Sequence, residues 1–184
     1  VSVPNQRPAW IDDPYDRKYP EDEYLLVVGS GSSYQKAVGN ARISLASVFS
    51  SQVEAFTQIT TIDSSDGVSF DELFEQGTVS SSVEDLVGSE VVTSFTDSLG
   101  QTYVRLAIHR KENAAFLKNR LTELTKELAR IRSQSSTDRL ERYRILLSSY
   151  PAAREAQQFA DRIWVLTKEL NPNHLAALRS ELRS

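Results

Sequence analysis

The 184-residue sequence has no cysteine and no methionine, and only two histidines and seven glycines. Without cysteine there is no disulfide, no thiol nucleophile and no cysteine-rich zinc site, although this absence alone selects no compartment. With no methionine even at the first position, a start at Val1 predicts that an upstream segment has been removed or omitted. No apolar run approaches the roughly 20 residues that cross a bilayer as a helix, and there is no signal-peptide core. What remains is ordinary in composition: 40% hydrophobic and 25% charged residues fit a globular chain rather than a disordered one or a membrane bundle. The length suits one domain, or a small domain with an appended helical unit.

The net charge of -4 conceals an asymmetry. Up to Ser98 there are 5 Lys and Arg against 16 Asp and Glu, and from Leu99 onward 16 against 9, giving -11 and +7. The basic half could face the acidic half or an acidic partner. Its cations alternate with Glu at helical spacing, which favours solvated helix faces. That interleaving and a pI near 5.3 also weigh against nucleic-acid binding by Arg130, Arg132, Arg139, Arg142 and Arg144.

Residues 1–23 hold Pro4, Pro8, Pro14 and Pro20 among charges, which excludes a long helix and predicts an extended tether. Trp10, Ile11 and Tyr15 are its expected anchors, with the indole tucked against the following domain. The run 24–28 predicts a strand buried on both faces. Gly29, Ser30 and Gly31 are then expected to turn the chain, with Ser32 or Ser33 capping a helix. In that helix Tyr34, Ala37, Val38, Ala41, Leu45, Val48, Phe49, Val53 and Phe56 recur at steps of three and four. The β-branched stretch 57–62 predicts a second strand, ended by a turn at 63–67. In 68–87, Phe70, Leu73 and Phe74 suggest a helical turn and 78–83 an extended piece. Segments 90–96 and 102–108 predict a hairpin joined by 97–101. Its aliphatic residues Val104, Leu106 and Ile108 should face the helix, leaving Tyr103 and Arg105 on a more open side.

The rest reads as helix. Leu117, Leu121, Leu124, Leu128 and Ile131 form a narrow seam that breaks at 133–136. A second helix, capped by Ser136 or Thr137, carries Leu140, Tyr143, Leu146 and Leu147. Pro151 starts a third with Ala156, Phe159, Ile163, Leu166 and Leu170, expected to end at Asn171-Pro172. Leu175, Leu178 and Leu182 form a short last helix. Short links imply antiparallel neighbours, hence a helical hairpin or small bundle.

Reactive constellations are hard to find. Asp12, Asp13, Asp16, Glu21, Asp22 and Glu23 lack the fixed loop spacing of a calcium site, and so do Asp63, Asp66 and Gly67. The glycine turn lacks the third glycine of a dinucleotide fingerprint and the Gly-Lys-Ser/Thr ending of a phosphate loop. His109 and His174 have no nucleophile motif or metal pair beside them. Asp71-Glu72 and Glu84-Asp85 are adjacent, so on a regular element they diverge. The residues therefore predict no enzyme, no cofactor and no metal site.

Pro8-Ala9-Trp10, the run Tyr24-Leu25-Leu26-Val27-Val28-Gly29-Ser30-Gly31, the spacing of Ala37, Ala41 and Ala46, the segment Leu86-Val87-Gly88-Ser89-Glu90-Val91-Val92, and Gln101-Thr102-Tyr103-Val104-Arg105-Leu106-Ala107 together resemble the small outer-membrane lipoprotein antigens of Helicobacter and related bacteria. That group includes flagellar lipoproteins, and the resemblance runs from about residue 8 to 110. It implies a periplasm-facing or surface lipoprotein, anchored through a lipidated cysteine ahead of Val1, and no catalytic residues.

The expectation is an α+β fold: an antiparallel sheet packed by a long helix, with a helical C-terminal extension. Residues 1–23 would be the tether, 24–110 the lipoprotein-like domain and 111–184 the extension. Its expected role is non-enzymatic, in the cell envelope, through a protein partner or self-assembly. The membrane would be met only through the lipid anchor. The alternative is a periplasmic sensor or small-ligand-binding module. Tyr103, Arg105, Tyr143 and Trp164 are the candidate partner-binding residues, since such side chains dominate interface energy.

Overall fold

A computed structural model describes residues 7–62, 88–134 and 137–183. The chain divides into two compact units, Val1–Asn113 and Ala114–Ser184. The expected α+β architecture is present: an antiparallel sheet, a long helix and a helical C-terminal region.

In the first unit, β1 (Tyr24–Gly31), β2 (Glu90–Thr96) and β3 (Thr102–His109) form a sheet of order β1-β3-β2. Both pairings are antiparallel, with Leu25 opposite Ile108, Val27 opposite Leu106 and Gly29 opposite Val104. Because side chains alternate, these residues share one face, and that face carries the long helix α1 (Tyr34–Ile62). Leu25, Val27, Val104, Leu106 and Ile108 meet there the stripe of Ala37, Ala41, Leu45, Phe49 and Val53, all buried. The hairpin forms as predicted. Asp97 Oδ1 accepts from Leu99 N and Gln101 N at 2.9 and 2.8 Å, and Gly100 takes the left-handed φ of 79° that the turn requires.

Three expectations change here. Gly29 and Gly31 do not turn the chain; both are strand residues, paired with Val104 and Thr102. Their lack of a side chain serves proximity instead: a Cβ on Gly29 would lie 2.3 Å from Ala41 N, and one on Gly31 2.7 Å from Ala37 N. The glycines let α1 settle onto the strand backbone, while Ser33 caps the helix, its Oγ accepting from Lys36 N at 3.3 Å. Next, 57–62 is helix rather than strand. A formed helix gains one hydrogen bond per added residue, which outweighs the weak strand preference of β-branched side chains; the Thr57 hydroxyl donates back to Val53 O at 3.0 Å. Finally, Tyr34 and Val48 are exposed, so the buried stripe is narrower than the apolar one. The expectations for 63–87 lie outside the described residues.

The second unit holds most of α2 (Arg110–Arg132), with α3 (Arg139–Ser148), α4 (Tyr150–Thr167) and α5 (His174–Arg183). Its core draws Leu117, Leu121 and Leu128 from α2, Leu146 from α3, Phe159, Ile163 and Leu166 from α4, and Leu178 from α5. Pro151 sits in the first turn of α4 as predicted. The cap of α3 is Asp138, not Ser136 or Thr137: its carboxylate accepts from Leu140 N at 2.9 Å. α4 also stops before Asn171. Lys168 adopts φ 61° and its N–H closes on Trp164 O at 2.7 Å, a left-handed terminus that leaves Leu170 off the helix and exposed.

Candidate interaction surfaces

The face of the sheet opposite α1 carries Tyr24, Leu26, Tyr103, Arg105, Ala107 and His109 by the same alternation. The proline-rich lead lies across it. A short 3-10 turn, Ala9–Ile11, contacts β3 with Trp10 half-buried, and the Tyr15 hydroxyl accepts from Leu26 N at 3.4 Å. Arg105, at the centre of the middle strand, is 3% exposed. Its Nη1 donates to Asp16 Oδ2 at 2.8 Å, and its guanidinium carbon stands 4.9 Å from the Tyr19 ring centroid. Tyr19, Tyr24 and His109 continue as edge-on ring contacts at 5.1 and 5.0 Å. Asp16 Oδ1 also accepts from the Lys18 and Tyr19 amides at 2.8 and 3.0 Å, fixing the turn that presents it. The hydrogen bond from Arg105 holds the Asp16 carboxyl below its usual 3.8. The lead is tied down again at its end. Arg110 N donates to Glu23 O at 2.9 Å, and Arg110 Nε to Glu21 O and Tyr24 O at 2.9 and 3.1 Å.

The side of the hairpin expected to be open is thus the side the lead covers. Arg105 is an internal contact rather than a free cation, and the reason is a partner 89 positions away. Tyr103 is half-buried between Phe95, 6.4 Å between centroids, and Arg7, whose guanidinium carbon is 5.6 Å from the ring. Trp164 is half-buried too, with Lys168 Nζ 4.1 Å from its ring centroid. Tyr143 is 40% exposed on α3, beside Leu140 at 74%. Tyr103 and Arg105 lie in the first unit, and Tyr143 and Trp164 on two helices of the second.

Among the described residues of the acidic lead, Asp12 pairs with Arg7 at 2.7 Å and Asp16 with Arg105, while Asp13 Oδ1 accepts from Tyr15 N at 3.3 Å. Among the described residues no group of three metal-ligating side chains converges, and no helix is long and apolar enough to cross a membrane. His109 packs on Tyr24. His174 opens α5, where burial, and after it the charge of Arg132, lower its pKa from 6.5. Arg132 Nη1 meets Glu181 at 3.1 Å. A cleft of about 560 Å³ in the second unit is lined by Arg120, Glu123, Leu124, Lys126, Glu127, Arg130 and Glu155. Trp10 and Tyr15 hold the lead to the sheet as the sequence predicts, whereas Asp16, Tyr19 and Arg110 carry no local signal for the contacts they make.

No protein-family model and no curated protein matches the chain. Among solved structures, it is similar to the secreted protein HP1454 from Helicobacter pylori at 15% identity and a TM-score of 0.42. The match covers 85% of this chain and 59% of that one.

Proposed function

We propose that the chain is the folded part of a bacterial envelope lipoprotein that works without catalysis, by binding a protein partner or building an assembly at the outer membrane or flagellum. The observation that carries this reading is the lead. It is locked onto the sheet by Asp16 and Arg105 and stapled by Arg110, so a lipid anchor placed ahead of it would hold a domain that begins at its own tether. The motifs between residues 8 and 110 that resemble small outer-membrane lipoprotein antigens support the same reading. The test expresses the gene with its natural upstream sequence, then follows labelled fatty acid into the protein, membrane fractionation and crosslinked partners. Fatty-acid labelling with a recurrent envelope partner is expected; an unlabelled protein with no such partner overturns the reading. The alternative, a periplasmic sensor or small-ligand-binding module, has as its signature thermal stabilisation by a small solute in the absence of any envelope partner.

A further inference from the structure

α3 turns Leu146 inward and leaves Arg139, Leu140, Arg142, Tyr143 and Arg144 exposed. At about 100° per residue, Tyr143 and Leu140 lie side by side, with Arg139 on one flank and Arg144 on the other. Arg139 and Arg142 carry no ion pair among the described residues. Arg144 reaches Glu141 only at 3.9 Å, with its side chain 81% exposed, a pairing of little worth in water. A single exposed leucine needs no explanation. A leucine and a tyrosine together, bracketed by guanidinium groups, can set apolar bodies at an acyl boundary and cations among phosphates.

We propose that this face of α3 docks the second unit on the surface of an anionic lipid bilayer. Charge supports it, since residues 114–184 hold 13 Lys and Arg against 8 Asp and Glu, a net of +5. Shape supports it as well. The outward face of one helix is a convex ridge that offers no pocket to a protein anchor, whereas a bilayer surface needs none. The helix is already held by Leu146 and by its Asp138 cap, so docking orders no new backbone.

The test uses the full chain without lipidation, so that failure of the anchor reading leaves the result untouched. Cosedimentation is compared on phosphatidylcholine vesicles and on vesicles with about a third phosphatidylglycerol. Binding at least about tenfold tighter to the anionic vesicles is expected, with loss in high salt. Arg139→Glu and Arg144→Glu should each weaken it about fivefold or more. Leu140→Ala should weaken it without moving the melting temperature, because that side chain is exposed, and Arg120→Glu on α2 should leave binding unchanged. Equal binding to both vesicles, or α3 variants that bind like the parent, would overturn the proposal. So would the same arginines holding duplex DNA or an acidic polypeptide while the vesicles stay bare.

Discussion

At Gly29 the distance between a helix and a strand is set by one missing carbon. A methyl group there would meet the backbone of Ala41 at 2.3 Å and of Ala37 at 2.4 Å, and backbone cannot rotate away. Gly29→Ala should therefore cost about 3 kcal/mol or more in a urea melt. Gly39, on the same helix with nothing within 4 Å, is the contrast: Gly39→Ala should stabilise by about 0.5–1 kcal/mol through helix propensity. Arg105 gives a different test at this scale. Among the described residues its Nε and Nη2 are buried without a hydrogen-bond partner, and its acceptor is the half-exposed Asp16. Removing Asp16 alone strands a buried cation, so Asp16→Ala should destabilise more than the double variant Arg105→Met/Asp16→Ala. A double-mutant cycle by denaturant melts reads that sign directly.

The elements show why some structure could be read from the sequence and some could not. β1 announces itself as a continuous apolar run buried on both faces, and the hairpin, α1 and the four later helices through local periodicity, because alternation and the three-four step reflect a single buried face. The failures have physical causes. Thr57 and its neighbours have strand-like composition, but a helix already nucleated upstream claims them. Lys168 ends α4 by a left-handed conformation that lysine side-chain chemistry does not advertise. The aromatic anchors of the lead, Trp10 and Tyr15, are legible in the sequence, but its ion pair from Asp16 to Arg105 spans 89 positions and leaves no local pattern. Of the candidate contacts, Tyr143 is exposed on α3, whereas the burial of Arg105 depends on a partner too far along the chain to be read locally. The cap of α3 yields an element-scale prediction. Asp138 satisfies Leu140 N, so Asp138→Ala should cost about 1 kcal/mol in a thermal melt.

For the molecule as a whole, two titrations act in the same direction and in separate units. His174 has a folded pKa lowered from 6.5, chiefly by burial. Its contribution is complete above that value and declines as the pH falls from there toward the folded pKa, where the folded protein takes up the proton. Asp16 is lowered from 3.8, so its contribution is complete above that pH and is lost as acid brings the folded carboxyl through its own pKa. Melting temperature against pH should therefore fall in two windows, one beginning near 6.5 and one below 3.8. His174→Gln should flatten the upper window only, and Asp16→Asn the lower only.

The staple at Arg110 has a mechanical meaning. β1 enters and β3 leaves at the same end of an antiparallel pair, Tyr24 opposite His109, so tension between the N-terminus and α2 would unzip the two strands one rung at a time. Three hydrogen bonds from Arg110 to the backbone around Glu21, Glu23 and Tyr24 close that end. A chain hung from its N-terminus thus resists pulling at the point where peeling would begin. In single-molecule stretching, Arg110→Ala should lower the rupture force of the sheet, since it removes the side-chain clasp and leaves one backbone bond.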